Sequence, residues 1–318
     1  MGIYNIRDGD LMIKRILDLN ASDIVNMTKA EKLQSIKAAE GRTMVSEVIT
    51  TAPPLLTNIS NVELASAFGA DMLILNFYDV NKPQFNGLPI NQGQGVIKEC
   101  KRLTGRFVGV NLEPVDMDTR VIDEREILPE GRLASVENVG KIIEQGGDMV
   151  VLTGNPKTGV TNAEIISTIK RINEKYSDEI IIMAGKMHSS GSENELGSKL
   201  ITKEIVSEFL EAGADIILLP APGTVPGMTV DYIRDMVEHV HSLGKLTMTA
   251  VGTSQEGADE STIRSIALYA KMTGTDMHHM GDSGITMGMS TPENIMVYSI
   301  AIKGKSHTYR RMARSVNR

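Results

Sequence analysis

Residues Gly146–Gly154 read GGDMVVLTG: a glycine pair, an aspartate, four apolar residues and a polar Thr-Gly end. Apolar residues in an unbroken run, without alternation, are typical of a strand that is buried on both faces of a parallel sheet. Glycine is favoured just after the last turn of a helix, where the backbone becomes left-handed. The segment therefore predicts a junction at which a helix ends and a buried strand begins.

The same Gly-x-Asp junction recurs at Gly69–Asp71, Gly213–Asp215 and Gly274–Asp276, each time before an apolar run. Four further runs lie before the first junction and between the others, so that apolar runs follow one another about every 30 to 40 residues, as in βα units. The eight predicted strands are Thr43–Thr50, Asp71–Phe77, Arg106–Leu112, Asp148–Gly154, Glu179–Gly185, Asp215–Ala221, Lys245–Gly252 and Asp276–Gly281.

Segments with helical periodicity separate the predicted strands. Thr161–Glu164 has the spacing of a capping box ahead of a helical apolar stripe, and Thr28–Glu31 has it before the first strand. Eight βα units predict an α/β fold, a (β/α)8 TIM barrel. A doubly wound open sheet is the alternative, because it shares the same alternation. We assign residues 1–41 to an N-terminal helical extension and residues 42–318 to the barrel with its basic C-terminal tail.

Composition narrows the class of protein. The chain has 318 residues, of which 41% are apolar and 23% charged, as in ordinary folded proteins. A net charge of −7 argues against a nucleic-acid partner. The single cysteine, Cys100, suits a reducing compartment. The sequence shows neither the pattern of a signal peptide nor an apolar stretch long enough to span a membrane. We therefore expect a cytoplasmic protein that does not bind membranes. Met-rich helices and the basic tail favour a homo-oligomer.

In a TIM barrel the active site lies at the C-terminal strand ends. Lys186 could have a lowered pKa in the barrel mouth and form a Schiff base, with a histidine nearby to move protons. A salt bridge from Lys186 to Glu47 or Glu113 is the structural alternative. The predicted catalytic residues are Glu47, Glu113, Lys186, His188 and His278. The predicted substrate-binding residues are Asn76, Asn111, Thr153, Asn155 and Asp282.

Two Gly- and Ser-rich loops, VGTSQEGADEST at Val251–Thr262 and MGDSGITMGMSTPEN at Met280–Asn294, follow the last two strands. Barrels often bind phosphate at these loops through backbone N–H groups, although ordinary turn chemistry explains such loops equally well. The predicted phosphate-binding residues are Gly252, Thr253, Ser254, Gly281, Ser283 and Gly284. Two other segments are predicted to cover the barrel mouth, the polar loop Glu113–Ser135 and a lid at Met187–Ser198.

A divalent metal, Mg²⁺ or Mn²⁺, is a second hypothesis for the mouth. Oxygen and nitrogen ligands from separate strands are usual in such sites. The candidate ligands are Glu47, Glu113, His188 and His278, which form no local motif. The alternative is chemistry that requires no cofactor.

Several segments together resemble one poorly characterised bacterial family of TIM barrels. They include LTGRFVGVNLEPVD at Leu103–Asp116, IIMAGKMH at Ile181–His188 and HHMGDSGITMGM at His278–Met289, and the resemblance extends over nearly all of the chain from Lys14. Members are commonly labelled haloacid-dehalogenase-like hydrolases or phosphoenolpyruvate phosphonomutases. Asp116–Arg120 approaches the dehalogenase motif D-x-D-x-[TV] but has arginine at its last position, which argues against that mechanism. The resemblance implies the barrel and no particular catalytic residue.

These observations predict an enzyme that acts on a small phosphorylated metabolite, such as a sugar phosphate. The reaction would be C–C lysis, as in an aldolase, or isomerisation beside a carbonyl. Two alternatives stay open: a metal-dependent hydrolase or phosphonomutase-like lyase, and a barrel that binds a phosphorylated metabolite without catalysis.

Overall fold

The computed structural model describes residues 4–7, 10–90, 93, 95–121, 124–188, 200–252, 254–285 and 287–318. Within these ranges the strands are β1 (Tyr4–Arg7), β2 (Asp10–Ile13), β3 (Thr43–Ile49), β4 (Met72–Asn76), β5 (Phe107–Leu112), β6 (Met149–Leu152), β7 (Ile181–Gly185), β8 (Ile216–Pro220), β9 (Leu246–Val251) and β10 (Met277–Met280). The helices are α1 (Ala21–Ile24), α2 (Lys29–Lys37), α3 (Asn61–Ala67), α4 (Val96–Thr104), α5 (Val136–Glu144), α6 (Asn162–Tyr176), α7 (Lys203–Ala212), α8 (Val230–Ser242), α9 (Glu260–Met272) and α10 (Pro292–Met312).

Strands β3 to β10 form one closed parallel barrel in chain order, in which β10 pairs with β3. The predicted TIM barrel is confirmed, and closure excludes the open sheet. Each barrel strand begins and ends within about two residues of its predicted limits. Ahead of the barrel lie the predicted helix α2 and a two-stranded antiparallel hairpin, β1–β2, which the sequence did not indicate. Among the described residues, no helix is both long and apolar enough to cross a lipid bilayer.

Alternate residues of each strand face opposite sides of the barrel wall. Inward-facing Val45, Ile74 and Met149 belong to the apolar cluster that fills the interior. The outward-facing neighbours Val48 and Val150 belong to a second cluster beneath the helices. Both faces are buried, which explains why the strands read as unbroken apolar runs.

The four aspartates of the Gly-x-Asp junctions make one recurring contact at the N-terminal end of the barrel. The side chain of Asp71 accepts the backbone N–H of Met44 on the preceding strand, at 2.9 Å. Asp148, Asp215 and Asp276 likewise accept the N–H groups of Val108, Ile182 and Thr247, at 2.8 to 2.9 Å. Each aspartate therefore joins two neighbouring strands, so the sequence repeat is also a structural repeat.

Every one of these aspartates also has a basic partner. Those of Asp71 come from α10, Lys303 at 2.5 Å and Arg311 at 2.8 Å. The lysines of α2 reach two others, Lys29 to Asp215 at 2.7 Å and Lys32 to Asp148 at 2.7 Å. His241 lies 2.8 Å from Asp276. The extension and the basic tail, which begins in α10, are therefore fixed to the barrel through its buried charges.

The ion pairs of Asp71 yield a stability prediction. Burial raises the pKa of this carboxyl, but Lys303 and Arg311 outweigh that effect and lower it. We expect Asp71→Asn to cost about 3 to 5 kcal/mol, because it leaves buried cations without their counter-charge. Urea denaturation at pH 7 measures this loss.

Because the folded pKa of Asp71 is lowered, its contribution is present above the unfolded pKa of about 4 and is lost as the pH falls further. The difference between wild type and Asp71→Asn should therefore shrink as the pH falls into the acid range. Glu137→Gln, which removes one charge of an exposed pair with Lys141, is the control and should leave the urea midpoint unchanged. Equal midpoints for Asp71→Asn and wild type at pH 7 would contradict the account.

Candidate active site

Three asparagine side chains meet at the C-terminal end of the barrel. Asn76 and Asn155 pair through both amide groups, at 2.9 and 3.1 Å. The Nδ2 of Asn111 donates to the Oδ1 of Asn76 at 3.0 Å. The Nδ2 of Asn76 also donates to the Oε1 of Glu47 at 3.1 Å. Asn76, at the end of β4, therefore holds residues from β3, β5 and the loop after β6 in one network.

Glu113 closes the network on its other side. It accepts the backbone N–H and the Nδ2 of Asn155, both at 2.8 Å. The guanidinium of Arg132 donates to its Oε1 at 2.7 Å and lies 4.2 Å from the centre of the Phe77 ring. Phe77 has a φ of 57°, a strained value for a residue with a side chain. Arg132 thus brings the end of the predicted mouth loop onto the barrel, and Glu113 is held by cation and amide contacts.

Glu47 connects this network to the last strand. Its Oε2 lies 3.4 Å from the Nε2 of His279 on β10, while the Nδ1 of that ring has no hydrogen-bond partner among the described residues. Both side chains are buried. A carboxylate beside an imidazole forms a pair through which a proton can move.

A cavity of about 170 Å³ lies beside these groups. Its described lining includes Glu47, Asn76, Asn111, Thr153, Gly154, Asn155, Pro156, Met187, His188, Gly252, Ser254, Glu256, Gly281, Asp282 and Gly284. The structure thus brings together predicted residues from seven of the eight barrel strands or from the loops that follow them.

Two further carboxyl groups lie on the β9 and β10 side of this cavity. Burial, followed by the charges of Asp282 and Glu47, raises the pKa of Glu256 to about 8. Burial and the charge of Glu47 also raise the pKa of Asp282. Near neutral pH, Glu256 therefore carries a proton. The cavity then contains this protonated carboxyl group beside two other acidic side chains, Glu47 and Asp282.

Lys186 and His188 follow the end of β7. Lys186 is fully buried, and His188 lines the cavity. Burial and then the charge of Lys186 lower the pKa of His188 to about 4, and the charge of Glu47 opposes this change. His188 is therefore a neutral imidazole at pH 7, close enough to both charges for each to affect its pKa.

His278 does not lie at the cavity, contrary to the sequence-based expectation. Its side chain faces outward from β10, where Nδ1 lies 3.3 Å from the hydroxyl of Tyr298 and Nε2 lies 3.1 Å from the carbonyl oxygen of Gly41. Burial lowers its pKa to about 4. The neighbouring His279 faces inward instead, because successive side chains of a strand point to opposite faces.

The four candidate metal ligands are correspondingly not brought together. His278 lies outside the barrel wall, and Glu113 is held by Arg132 and Asn155. In the part of the chain that the structure describes, no three His, Cys, Asp or Glu side chains are grouped so as to hold a metal ion.

The predicted phosphate loops are only partly at the cavity. Gly252, Ser254, Gly281 and Gly284 line it. The hydroxyl of Ser283 instead donates to the carbonyl oxygen of Met289 at 3.2 Å, away from the lining. Thr253 lies outside the described residues, as does most of the predicted lid at Met187–Ser198.

Sequence reasoning missed three residues of this site. His279 was passed over for His278 because the inward register of a four-residue strand cannot be read without its neighbours. Arg132 lies 19 positions after its partner Glu113, in an irregular loop. Glu256 belongs to no motif, and only the fold shows that it is buried.

The charge of Lys186 predicts a measurable effect on His188. We expect Lys186→Met to raise the pKa of His188 above its value of about 4, because a neighbouring cation disfavours the imidazolium. NMR titration of the ring signals measures it. Lys203→Met, at the start of α7, removes the same charge elsewhere and should leave this pKa as it is. An unchanged or lower pKa in Lys186→Met would show that the lysine charge does not reach the ring.

Comparison with solved structures shows the same barrel at low identity. An archaeal fructose 1,6-bisphosphate aldolase is 14% identical, with a TM-score of 0.53 over 87% of this chain and 100% of that one. A Schiff-base-forming fructose 1,6-bisphosphate aldolase is 14% identical, with a TM-score of 0.52 over 86% and 99%. A 2,3-dimethylmalate lyase of the PEP mutase/isocitrate lyase superfamily is 12% identical, with a TM-score of 0.46 over 80% and 81%. At these identities the likeness is one of fold.

No curated protein sequence matches the chain. The haloacid-dehalogenase label gains no support from the family comparison or from the two aldolase structures. A family model described as a domain of unknown function, DUF7916, matches residues 17–318. The chain therefore belongs to the DUF7916 family.

Proposed function

We propose that this protein is a lyase or isomerase that transfers a proton at the carbon beside a carbonyl group of a small polar metabolite. The observation that carries the proposal is the position of Glu47. Its carboxyl group lines the cavity, is oriented by Asn76 at 3.1 Å and lies 3.4 Å from His279. A buried carboxylate with fixed orientation is the arrangement that a general base requires.

In the proposed reaction, Glu47 takes the proton from the carbon beside the carbonyl. The electron pair of the broken C–H bond moves toward the carbonyl oxygen and forms an enolate. In isomerisation the enolate oxygen takes up a proton to give an enediol, the adjacent hydroxyl loses its proton and becomes the new carbonyl, and Glu47 returns its proton to the former carbonyl carbon. In lysis Glu47 instead takes the proton of the hydroxyl on the next carbon, and that oxygen becomes a carbonyl as the C–C bond breaks. The electron pair of the C–C bond then forms the enolate, whose carbon receives the proton from Glu47. His279 extends the proton path from Glu47.

Stabilisation of the enolate falls to other groups in and beside the cavity, of which Lys186 is not part of the described lining. Lys186, next to the β7 end, supplies positive charge, either as an ammonium ion or as a Schiff base with the substrate carbonyl. His188 contributes a neutral imidazole, and Asn111 and Thr153 contribute polar contacts in the lining. Borohydride trapping of an adduct on Lys186 distinguishes the Schiff base from the ammonium ion.

The geometry gives less support to two other hypotheses from the sequence, the metal site and the phosphate site. A Mg²⁺ or Mn²⁺ site would have to be built from Glu47 and His188 without His278, and the described residues offer no third such side chain in a suitable group. A phosphate on the substrate would lie beside Glu256 and Asp282 if it bound at the predicted loops. Homo-oligomerisation and a cytoplasmic location stay predictions from the sequence.

The experiment is proton exchange in D₂O. A panel of small aldoses, ketoses and 2-oxo acids, with and without phosphate, is incubated with the protein while ¹H NMR follows the signals beside the carbonyl. We expect at least one compound to lose such a signal, and Glu47→Gln to slow that loss by about 10²- to 10⁴-fold, because the base is removed without a change of shape.

Glu137→Gln, an exposed carboxyl on α5, provides the matched control and should exchange at the wild-type rate. Exchange that continues unchanged in Glu47→Gln would rule out Glu47 as the base. Binding without exchange or product across the whole panel would instead indicate a barrel that binds its ligand without catalysis.

A further inference from the structure

Two buried acceptor atoms at the cavity lack hydrogen-bond partners among the described residues. They are the Oε2 of Glu256 and the Oδ1 of Asn111, whose residues are 2% and 3% exposed. Both residues form part of the cavity lining. Burying a polar atom without a partner is costly, and such atoms at a cavity mark where a ligand completes the hydrogen bonds.

The backbone of Glu256 is held in place by its surroundings. Its backbone carbonyl accepts the hydroxyl of Ser290 at 3.1 Å and the Nδ2 of Asn294 at 2.8 Å. A β-carbon added at Gly281 would lie only 2.8 Å from the Oε1 of Glu256. A glycine at position 281 therefore provides the room for this carboxyl group in the cavity wall.

The acidic groups around Glu256 disfavour the binding of an anion in this part of the cavity wall. Asp282 and Glu47 both raise the pKa of Glu256, so the potential at its carboxyl group is negative. The N-terminus of α9, which follows the same loop, is already occupied by the side chain of Asp259, which accepts the N–H groups of Ser261 and Thr262. A phosphate dianion here would meet like charges and a helix end whose donors are taken.

We propose that two acidic side chains, Glu256 and Asp282, which we name the carboxyl wall, bind hydroxyl groups of an unphosphorylated hydroxy-carbonyl substrate together with Asn111 of the asparagine network. The inference deepens the proposed function, on which it rests for the identity of the pocket. The glycine-rich loops predicted that the substrate binds here through a phosphate group. The inference assigns this position to a hydroxyl-bearing end of the substrate instead.

A hydroxyl group suits the carboxyl wall because it both donates and accepts a hydrogen bond. It can donate a hydrogen bond to the Oδ1 of Asn111 or to the side chain of Asp282. It can also accept a hydrogen bond from the protonated carboxyl group of Glu256. A phosphate dianion only accepts hydrogen bonds and leaves Asn111 and Asp282 without a donor. Binding a hydroxyl adds no net charge beside Glu47.

The test uses Met187, whose side chain lies in the cavity lining, as a reporter. Protein labelled with ¹³C at the methionine methyl groups is titrated with dihydroxyacetone, erythrulose, fructose, their phosphate esters and inorganic phosphate. The Met187 signal is assigned by Met187→Leu. We expect a ketose to shift this signal at millimolar concentration, and its ester to bind at least about tenfold more weakly because of like-charge repulsion.

Variants locate the effect on the carboxyl wall. Glu256→Leu should weaken ketose binding by about tenfold or more, whereas Glu256→Gln, which keeps a donor and an acceptor, should retain it. Asp282→Asn should reduce the penalty against the ester. Asp235→Asn, an exposed carboxyl on α8, is the charge-matched control and should change neither affinity. The other methionine signals report whether each variant stays folded.

Three results would overturn the inference: inorganic phosphate shifting Met187 at low millimolar concentration, an ester binding more tightly than its parent ketose, or no ketose shifting Met187 at all. A ketose that binds at the carboxyl wall but exchanges no proton in D₂O would support this inference while contradicting the proposed reaction. Proton exchange confined to phosphate esters would support the reaction and overturn the carboxyl wall as a hydroxyl site.

Discussion

Four buried carboxylates hold the N-terminal end of the barrel together, and the rest of the structure depends on them. Asp71, Asp148, Asp215 and Asp276 each accept a backbone N–H from the preceding strand and each have a basic partner. Buried charges of this kind are stabilising only when their partners are present. The basic partners come from helices packed around the strands, α2, α8 and α10 among them, so these contacts hold the helices to the strands.

The candidate site lies at the opposite, C-terminal end of the barrel. There the inward-facing residues are polar, and their mutual hydrogen bonds replace the apolar packing of the interior. Asn76 joins three neighbouring elements through a single carboxamide, and the next residue, Phe77, adopts a left-handed conformation. Buried amides and strained backbone at strand ends are features that proteins retain where a ligand is bound. The stability of one end therefore supports the strained geometry of the other.

The sequence was sufficient for the barrel but not for the details of its mouth. Unbroken apolar runs and the Gly-x-Asp junctions located all eight strands, because both signals are local. Glu47, Asn76, Asn111 and Asn155 line the cavity, and the sequence could place them there because they lie near the C-terminal ends of strands. His279 and His278 could not be told apart, since one step along a strand reverses the direction of the side chain. The positions of Glu256 and Arg132 at the site depend on how loops that are distant in sequence fold back onto the barrel. No local sequence pattern encodes this, so the acidic surroundings of the glycine-rich loops could not be predicted.

The central claim is that Glu47 acts on a carbon held in the cavity between the asparagine network and the carboxyl wall. A crystal structure of Glu47→Gln soaked with an unphosphorylated hydroxyketone tests it most directly, because the variant can bind without turnover. The account predicts that the carbon beside the carbonyl lies about 3 to 3.5 Å from the side-chain oxygen at position 47, with hydroxyl groups on Asn111 and Glu256. A ligand bound elsewhere, with its carbonyl turned away from position 47, would contradict it.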